Sequence, residues 1–155
     1  MTVSVPGATL GIIGGGQLGR MIGEAALPLG VETVVLDPAP DCPASPPARE
    51  QIVADFDDEE AIVELATRAD AITLEIELAD PAGLSKAAEE ADAVVGPAPS
   101  DLRVTRDKLR EKEELSGAGI PVPAYRPVDD ATTLRSAFEE LGRPLMMKAR
   151  RGGYD

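Results

Sequence analysis

A short apolar run that breaks into three consecutive glycines constrains this chain more than any other feature. In "TLGIIG" (Thr9 to Gly14) the residues suit a buried strand, and the next two positions are again glycine. From Gln17 to Leu29, the residues Leu18, Met21, Ile22, Ala25, Ala26 and Leu29 recur at helical spacing. A strand that turns through glycines directly into a helix is the opening of a parallel βαβ unit.

The alternation continues along the chain. "VETVVLD" (Val31 to Asp37) reads as a second strand, β-branched and closed by Asp-Pro. "PAPDCPASPP" (38–47) is too rich in proline for regular structure and reads as a loop. "QIVAD" (51–55) is a short third strand. "DDEEAIVELATRA" (57–69) is a helix that starts with carboxylates and turns Ile62, Val63, Leu65 and Ala66 inward. "AITLEIE" (Ala71 to Glu77) is a strand with charges only at its end; a helix through Leu84 to Glu90 and a strand "AVVG" (93–96) follow. The expected fold class is α/β: a parallel, doubly wound sheet with ligands at the carboxyl ends of its strands.

Near Pro97 the character changes. Residues 97–119 read as one long charged helix with Ser100 as its N-cap and Gly117 or Gly119 as its stop. "IPVPAYRPV" (120–128) is extended chain, and 129–142 is a helix with Leu134, Ala137, Phe138 and Leu141 on one face. "RPLMMKARRGGYD" (143–155) is expected to be a strand leading into a basic glycine loop, and the residues after about 118 to begin a second domain.

Composition removes whole classes of chemistry. With no histidine and one cysteine, Cys42, the sequence cannot build a Ser-His or Cys-His nucleophile, a histidine metal site, a cysteine zinc site or an internal disulfide. A net charge of −13 makes nucleic acid and anionic membrane poor partners. No apolar run approaches the roughly 20 residues that span a bilayer, and the N-terminus lacks a signal-like pattern, so a cytoplasmic protein is expected. Four lysines against eleven arginines on so acidic a chain suit a halophilic, high-salt cytoplasm; an ordinary acidic protein has the same composition.

Four stretches carry candidate chemistry. Gly14, Gly16 and Gly19 have the G-x-G-x-x-G spacing that lets backbone N–H groups approach a phosphate at a helix N-terminus. Asp37 stands about where a dinucleotide site places its ribose-binding acid, so an NAD-dependent oxidoreductase is open on this reading; a strand-end aspartate starting a turn before Pro38 is the other. Glu75 and Glu77, at i and i+2 of a strand end, would share one face and accept hydrogen bonds from an amine or a ribose. In "TRDKLREKEEL", Lys108 suits either an anionic ligand or an ion-paired helix surface. In "MMKARRGGYD", Lys148, Arg150 and Arg151 reverse the local charge just before Gly152-Gly153, as a loop for a triphosphate would.

Taken in order, "GIIGGGQLGRM", "DPAPDCPA", "EIE", "RDKLREKEEL" with "GIPVP", and "MKARRGGYD" resemble the 5-(carboxyamino)imidazole ribonucleotide synthases, the ATPase subunits of phosphoribosylaminoimidazole carboxylase, of the ATP-grasp superfamily. The resemblance runs over essentially the whole chain, and "RRGGYD" is its most specific part. It implies a Rossmann-like pre-ATP-grasp substrate domain over 1–100, a connecting helix over 101–117 and the beginning of an ATP-grasp domain over 118–155. It further implies ATP-dependent carboxylation of 5-aminoimidazole ribonucleotide with bicarbonate, through carboxyphosphate, in purine biosynthesis. Gly16, Gln17, Leu18 and Gly19 would lie by the phosphoribosyl group and Glu75 or Glu77 by the substrate. Tyr154 and Asp155 would approach the aminoimidazole as catalytic positions, and Lys108, Lys148 and Gly153 would contact ATP. No metal ligand is expected in this stretch; Mg2+ would be held by a C-terminal part, and the full-length protein would be a homodimer. Leu78 departs from the family's usual Glu-Asn, and the Gly-basic-Gly that usually follows "GGYD" is absent. The chain therefore looks like the first two fifths of such an enzyme, inactive by itself. A formate-dependent ribonucleotide transformylase of the same superfamily and a nucleotide-sensing module without turnover are the other readings.

Overall fold

A computed structural model describes residues 5–91 and 93–153. The chain divides into two compact units, residues 1–103 and 104–155.

The first unit is built on five strands: β1 (Thr9–Ile13), β2 (Glu32–Leu36), β3 (Glu50–Ile52), β4 (Ala71–Leu74) and β5 (Val94–Val95). All pair in parallel, in the order β3-β2-β1-β4-β5. The connections are α1 (Gln17–Ala26, continued by one 3-10 turn to Leu29), α2 (Glu59–Thr67) and α3 (Pro81–Glu90). Successive residues of a strand point to opposite faces, and the core divides accordingly. Ile13, Val34, Leu36, Ile52 and Ile72 pack under α2 and α3 with Ile62, Leu65 and Leu84. Ile12 and Val35 face the other way, onto Cys42 and Ala44 with Ile22 half-buried beside them. The proline-rich loop is irregular, as its composition predicts, but it is part of the interior: Cys42 and Ala44 are buried.

Helix α1 turns an unexpected face to the sheet. Its buried residues are Gly19, Gly23 and Ala26, while Leu18, Met21 and Leu29 are more than half exposed. Small residues let this helix lie close: a Cβ on Gly19 would stand 2.4 Å from the Gly14 carbonyl oxygen, and one on Gly23 3.1 Å from the Pro47 ring.

Four expectations need correction. The third strand, expected over 51–55, covers Glu50–Ile52, because its ladder with β2 ends at the Leu36–Ile52 pair. The strand expected to run to Glu77 ends at Leu74, because its ladder with β1 ends at the Ile13–Leu74 pair; Glu75 and Glu77 lie in the bend and turn that follow. The single charged helix over 97–119 is two, α4 (Pro99–Thr105) and α5 (Lys108–Gly117). The break falls at Asp107, whose side chain accepts hydrogen bonds from the Leu109 and Arg110 amides and so starts a new helix; Ser100 lies inside α4 and caps nothing. Residues 143–149 form no strand, because among the described residues of their unit no other strand is present to pair with them.

The second unit also holds α6 (Ala131–Leu141), started by a capping box between Asp130 and Thr133, with Ala137 buried and Leu134, Phe138 and Leu141 half-buried beside it. No helix among the described residues is long and apolar enough to cross a membrane.

Candidate functional site

In an open parallel sheet the strand order reverses at one point, and the crevice there receives ligands. Here β2 and β3 extend from one side of β1, and β4 and β5 from the other, so the reversal lies between the carboxyl ends of β1 and β4. The glycine loop follows β1 and Glu75 follows β4.

The loop is tied down from behind. The Gly14 amide donates to the Leu36 carbonyl at 3.0 Å, and the Gly15 carbonyl accepts from the Ala44 amide at 2.9 Å. The Gly15 amide donates to Asp37 Oδ2 at 2.7 Å. Gly14 has φ +102°, a backbone state that side chains disfavour. A Cβ on Gly15 would stand 2.3 Å from Cys42 Sγ, so only glycine fits between that thiol and the ligand side. Burial pushes the Cys42 thiol up from its usual pKa, so it packs as a neutral group.

In front, α1 begins at Gly16 with no side chain capping its first turn. The first amides of a helix are unsatisfied donors and carry the positive end of its dipole. Gln17 and Leu18 are exposed and Gly19 is buried beneath them. An anion entering here would meet the amides of Gly16, Gln17, Leu18 and Gly19 with no competing cap.

The structure separates the two glutamates. Glu75 stands over the loop: Cβ atoms built on Gly14 and Gly16 would come within 2.5 Å and 3.0 Å of its carboxylate oxygens. Its amide donates to the Ile13 carbonyl at 2.8 Å, which fixes its backbone against β1. Glu77 lies two residues farther on, within the turn.

Asp37 is turned toward the glycine loop and its own turn. It is 9% exposed, and its two oxygens accept from the Gly15 amide at 2.7 Å and the Ala39 amide at 2.8 Å. The carboxylate is occupied in holding the loop. The bond from Ala39 is the turn that an aspartate before proline starts; the tie to Gly15, 22 residues away, has no local signal in the sequence.

The second unit brings together two of its three expected nucleotide contacts. Lys108 Nζ donates to the Gly152 carbonyl at 2.8 Å, which places it at the loop that continues into Gly153. It does not make the helix-surface ion pairs that the charge pattern also allowed. Lys148 is exposed and makes no ion pair among the described residues. Tyr154 and Asp155 lie outside the described residues. Among the described residues no three acidic or cysteine side chains converge on a point that would hold a cation.

Residues 7–106 match the profile of the ribonucleotide synthetase preATP-grasp domain. The chain is 46% identical over 150 residues to the N5-carboxyaminoimidazole ribonucleotide synthase of Brucella melitensis, covering 97% of this chain and 41% of that protein. It is 42% identical over 149 residues to that of Staphylococcus aureus, covering 96% of this chain and 39% of that protein. Among solved structures, the Staphylococcus aureus N5-carboxyaminoimidazole synthetase complexed with ADP superposes with a TM-score of 0.89 at 39% identity, over 100% of this chain and 41% of that one. The Aspergillus clavatus synthase, solved with ADP and 5-aminoimidazole ribonucleotide, gives a TM-score of 0.81 at 33% identity over 92% of this chain and 38% of that one. The chain thus spans about two fifths of the length of the relatives it matches. By this match, set on the glycine loop and its sheet reversal, the chain belongs to the ribonucleotide synthetase preATP-grasp family.

Proposed function

We propose that this chain supplies the ribonucleotide-holding part, and some of the nucleotide contacts, of an enzyme that carboxylates 5-aminoimidazole ribonucleotide at the expense of ATP in purine biosynthesis. One observation carries the choice of ligand. The acid that would grip a dinucleotide's ribose is buried behind the glycine loop, while the loop's front edge is open to a phosphate. Gly16, Gln17, Leu18 and Gly19 then hold the phosphate monoester, and Glu75 accepts hydrogen bonds from the ribonucleotide above the loop. Glu77 is the weaker choice, since it lies beyond the loop in the turn.

In the reaction so read, a bicarbonate oxygen attacks the γ-phosphorus of ATP and the bond to ADP breaks, giving carboxyphosphate. Its C–O bond then breaks to CO2 and phosphate, and the substrate amine adds to CO2, losing a proton to form the carbamate. Positioning and exclusion of water are the main tasks left to the protein. Lys108, Lys148 and Gly153 are the ATP contacts in this reading, and Tyr154 and Asp155 approach the aminoimidazole. Mg2+, in this reading, is held by a C-terminal part of the full-length enzyme, where it would help neutralise the phosphates of ATP. The reading places the enzyme in the cytoplasm, as a homodimer at full length. Support comes from the relatives' names and from the neighbour solved with ADP and 5-aminoimidazole ribonucleotide.

The test is a calorimetric titration of the chain with 5-aminoimidazole ribonucleotide, its dephosphorylated nucleoside, and NADH. The ribonucleotide should bind saturably, the nucleoside at least about tenfold more weakly because charge-assisted bonds to the phosphate are lost, and NADH not at all. Gln17→Ala should weaken ribonucleotide binding with unchanged folding. Saturable NADH binding, or indifference to the phosphate, would overturn the reading.

A further inference from the structure

The basic stretch before the glycines contains two arginines that the proposed ATP contacts leave without a task. Both point at one carboxylate. Asp107 is 2% exposed, yet it lies between charged segments of the chain. Its Oδ1 accepts from the Leu109 amide at 3.1 Å, from the Arg110 amide at 3.4 Å and from Arg150 Nε at 3.1 Å. Its Oδ2 accepts from Arg150 Nη2 at 2.8 Å, with Arg151 Nε at 3.6 Å. The backbone completes the joint: the Lys108 amide donates to the Arg150 carbonyl at 2.9 Å, and Lys108 Nζ to the Gly152 carbonyl at 2.8 Å. Residues 43 apart in sequence are thus held in register. Gly152 and Gly153 follow with φ of +61° and +91°, so the loop leaves this joint in a conformation suited to glycine.

A two-bond guanidinium–carboxylate fork fixes direction as well as distance. Arg150 is therefore neutralised within the joint and is a poor direct ligand for phosphate. What the joint fixes is the loop's place beside Lys108.

We propose that Asp107 is a positioning residue for the nucleotide site: it grips Arg150 while starting α5, and so sets the Gly152-Gly153 loop against Lys108 before a polyphosphate arrives. This rests on the reading that Lys108 and Gly153 contact ATP. The hydrogen bonds from Arg150 hold the Asp107 carboxyl down from 3.8 to about 2, outweighing its desolvation, so the grip is charged throughout the physiological range. Glu113 and Asp129 also act on Arg150 and, with Asp107, favour its charged form.

The test uses nuclear magnetic resonance of the chain, following the Gly152 and Gly153 amides during titration with ATP. Asp107→Ser keeps a capping oxygen for α5 but loses the fork; Arg150→Lys keeps the charge but loses the fork's second bond. Both variants should bind ATP at least about fivefold more weakly, while amide exchange within α5 and the affinity for 5-aminoimidazole ribonucleotide stay as in the parent. In the parent, the Gly152 amide and the Arg150 Nε–H should report acid release with a midpoint near 2. The sign follows from a lowered carboxyl: the grip is complete above 3.8 and lost as pH falls through about 2. If ATP moves these amides equally well in parent and both variants, the positioning role is wrong and the ATP reading stands. If ATP leaves the parent's amides unmoved, the ATP reading fails and the proposal with it.

Discussion

Replacing Gly19 with alanine tests whether the glycine spacing serves close packing as well as ligand access. In an exposed helix, glycine to alanine is stabilising by about 1 kcal/mol through helix propensity. Gly19 is buried against its own loop, and the new Cβ would stand 2.4 Å from the Gly14 carbonyl oxygen, a backbone atom that cannot rotate aside. To reach an ordinary contact of 3.4 Å or more, α1 must move outward by about 1 Å, and overpacking of this kind costs roughly 1–3 kcal/mol. Set against the propensity gain, Gly19→Ala should be net destabilising by about 1 kcal/mol, or several-fold in local opening. Gly117, near the end of α5, is the internal control: nothing lies within 4 Å of its would-be Cβ, so Gly117→Ala should stabilise by up to about 1 kcal/mol. Native-state amide exchange reads both helices separately. Exchange in α1 should quicken in Gly19→Ala, and exchange in α5 should slow in Gly117→Ala. Slower exchange in α1 of Gly19→Ala would refute the packing argument, because it would mean that propensity outweighs the contact.

Two other perturbations follow from burial and charge. Thr33 is 2% exposed, and its hydroxyl has no partner among the described residues, so Thr33→Val should raise the denaturation midpoint by the equivalent of about 1 kcal/mol; a lower midpoint would show that the hydroxyl is bonded. With a net charge of −13, the melting temperature should rise between low and molar salt as self-repulsion is screened, and an unchanged value would argue against a high-salt adaptation.

The parallel sheet was legible because β1, β2 and β5 are β-branched runs closed by a glycine or by Asp-Pro, and those signals are local. What sequence reading lost was decided by partners elsewhere in the chain. "AITLEIE" keeps a strand-like pattern to Glu77, but the ladder stops where β1 turns into glycine. Residues 97–119 have an unbroken helical composition, yet Asp107 interrupts them because its acceptors also serve Arg150. Large residues of the α1 repeat, Leu18, Met21 and Leu29, lie on its outer side, while Gly19, Gly23 and Ala26 line the inner side, and periodicity scores such small residues weakly. The candidate site divides the same way: the spacing of Gly14, Gly16 and Gly19 marks the loop, whereas Glu75 standing over it and Asp37 tied to its Gly15 amide show only in the folded chain.

The ties behind that loop have an entropic consequence. With the Gly14 and Gly15 amides and the Gly15 carbonyl already bonded to the body of the sheet unit, a ligand meets a turn whose conformation is settled in advance. Ordering a loop on binding consumes part of the interaction energy, and a preordered one leaves more of it to appear as affinity. The same rigidity makes the turn unforgiving. It has little room to relax around a bulkier group: a Cβ at Gly15 would already stand 2.3 Å from the Cys42 thiol.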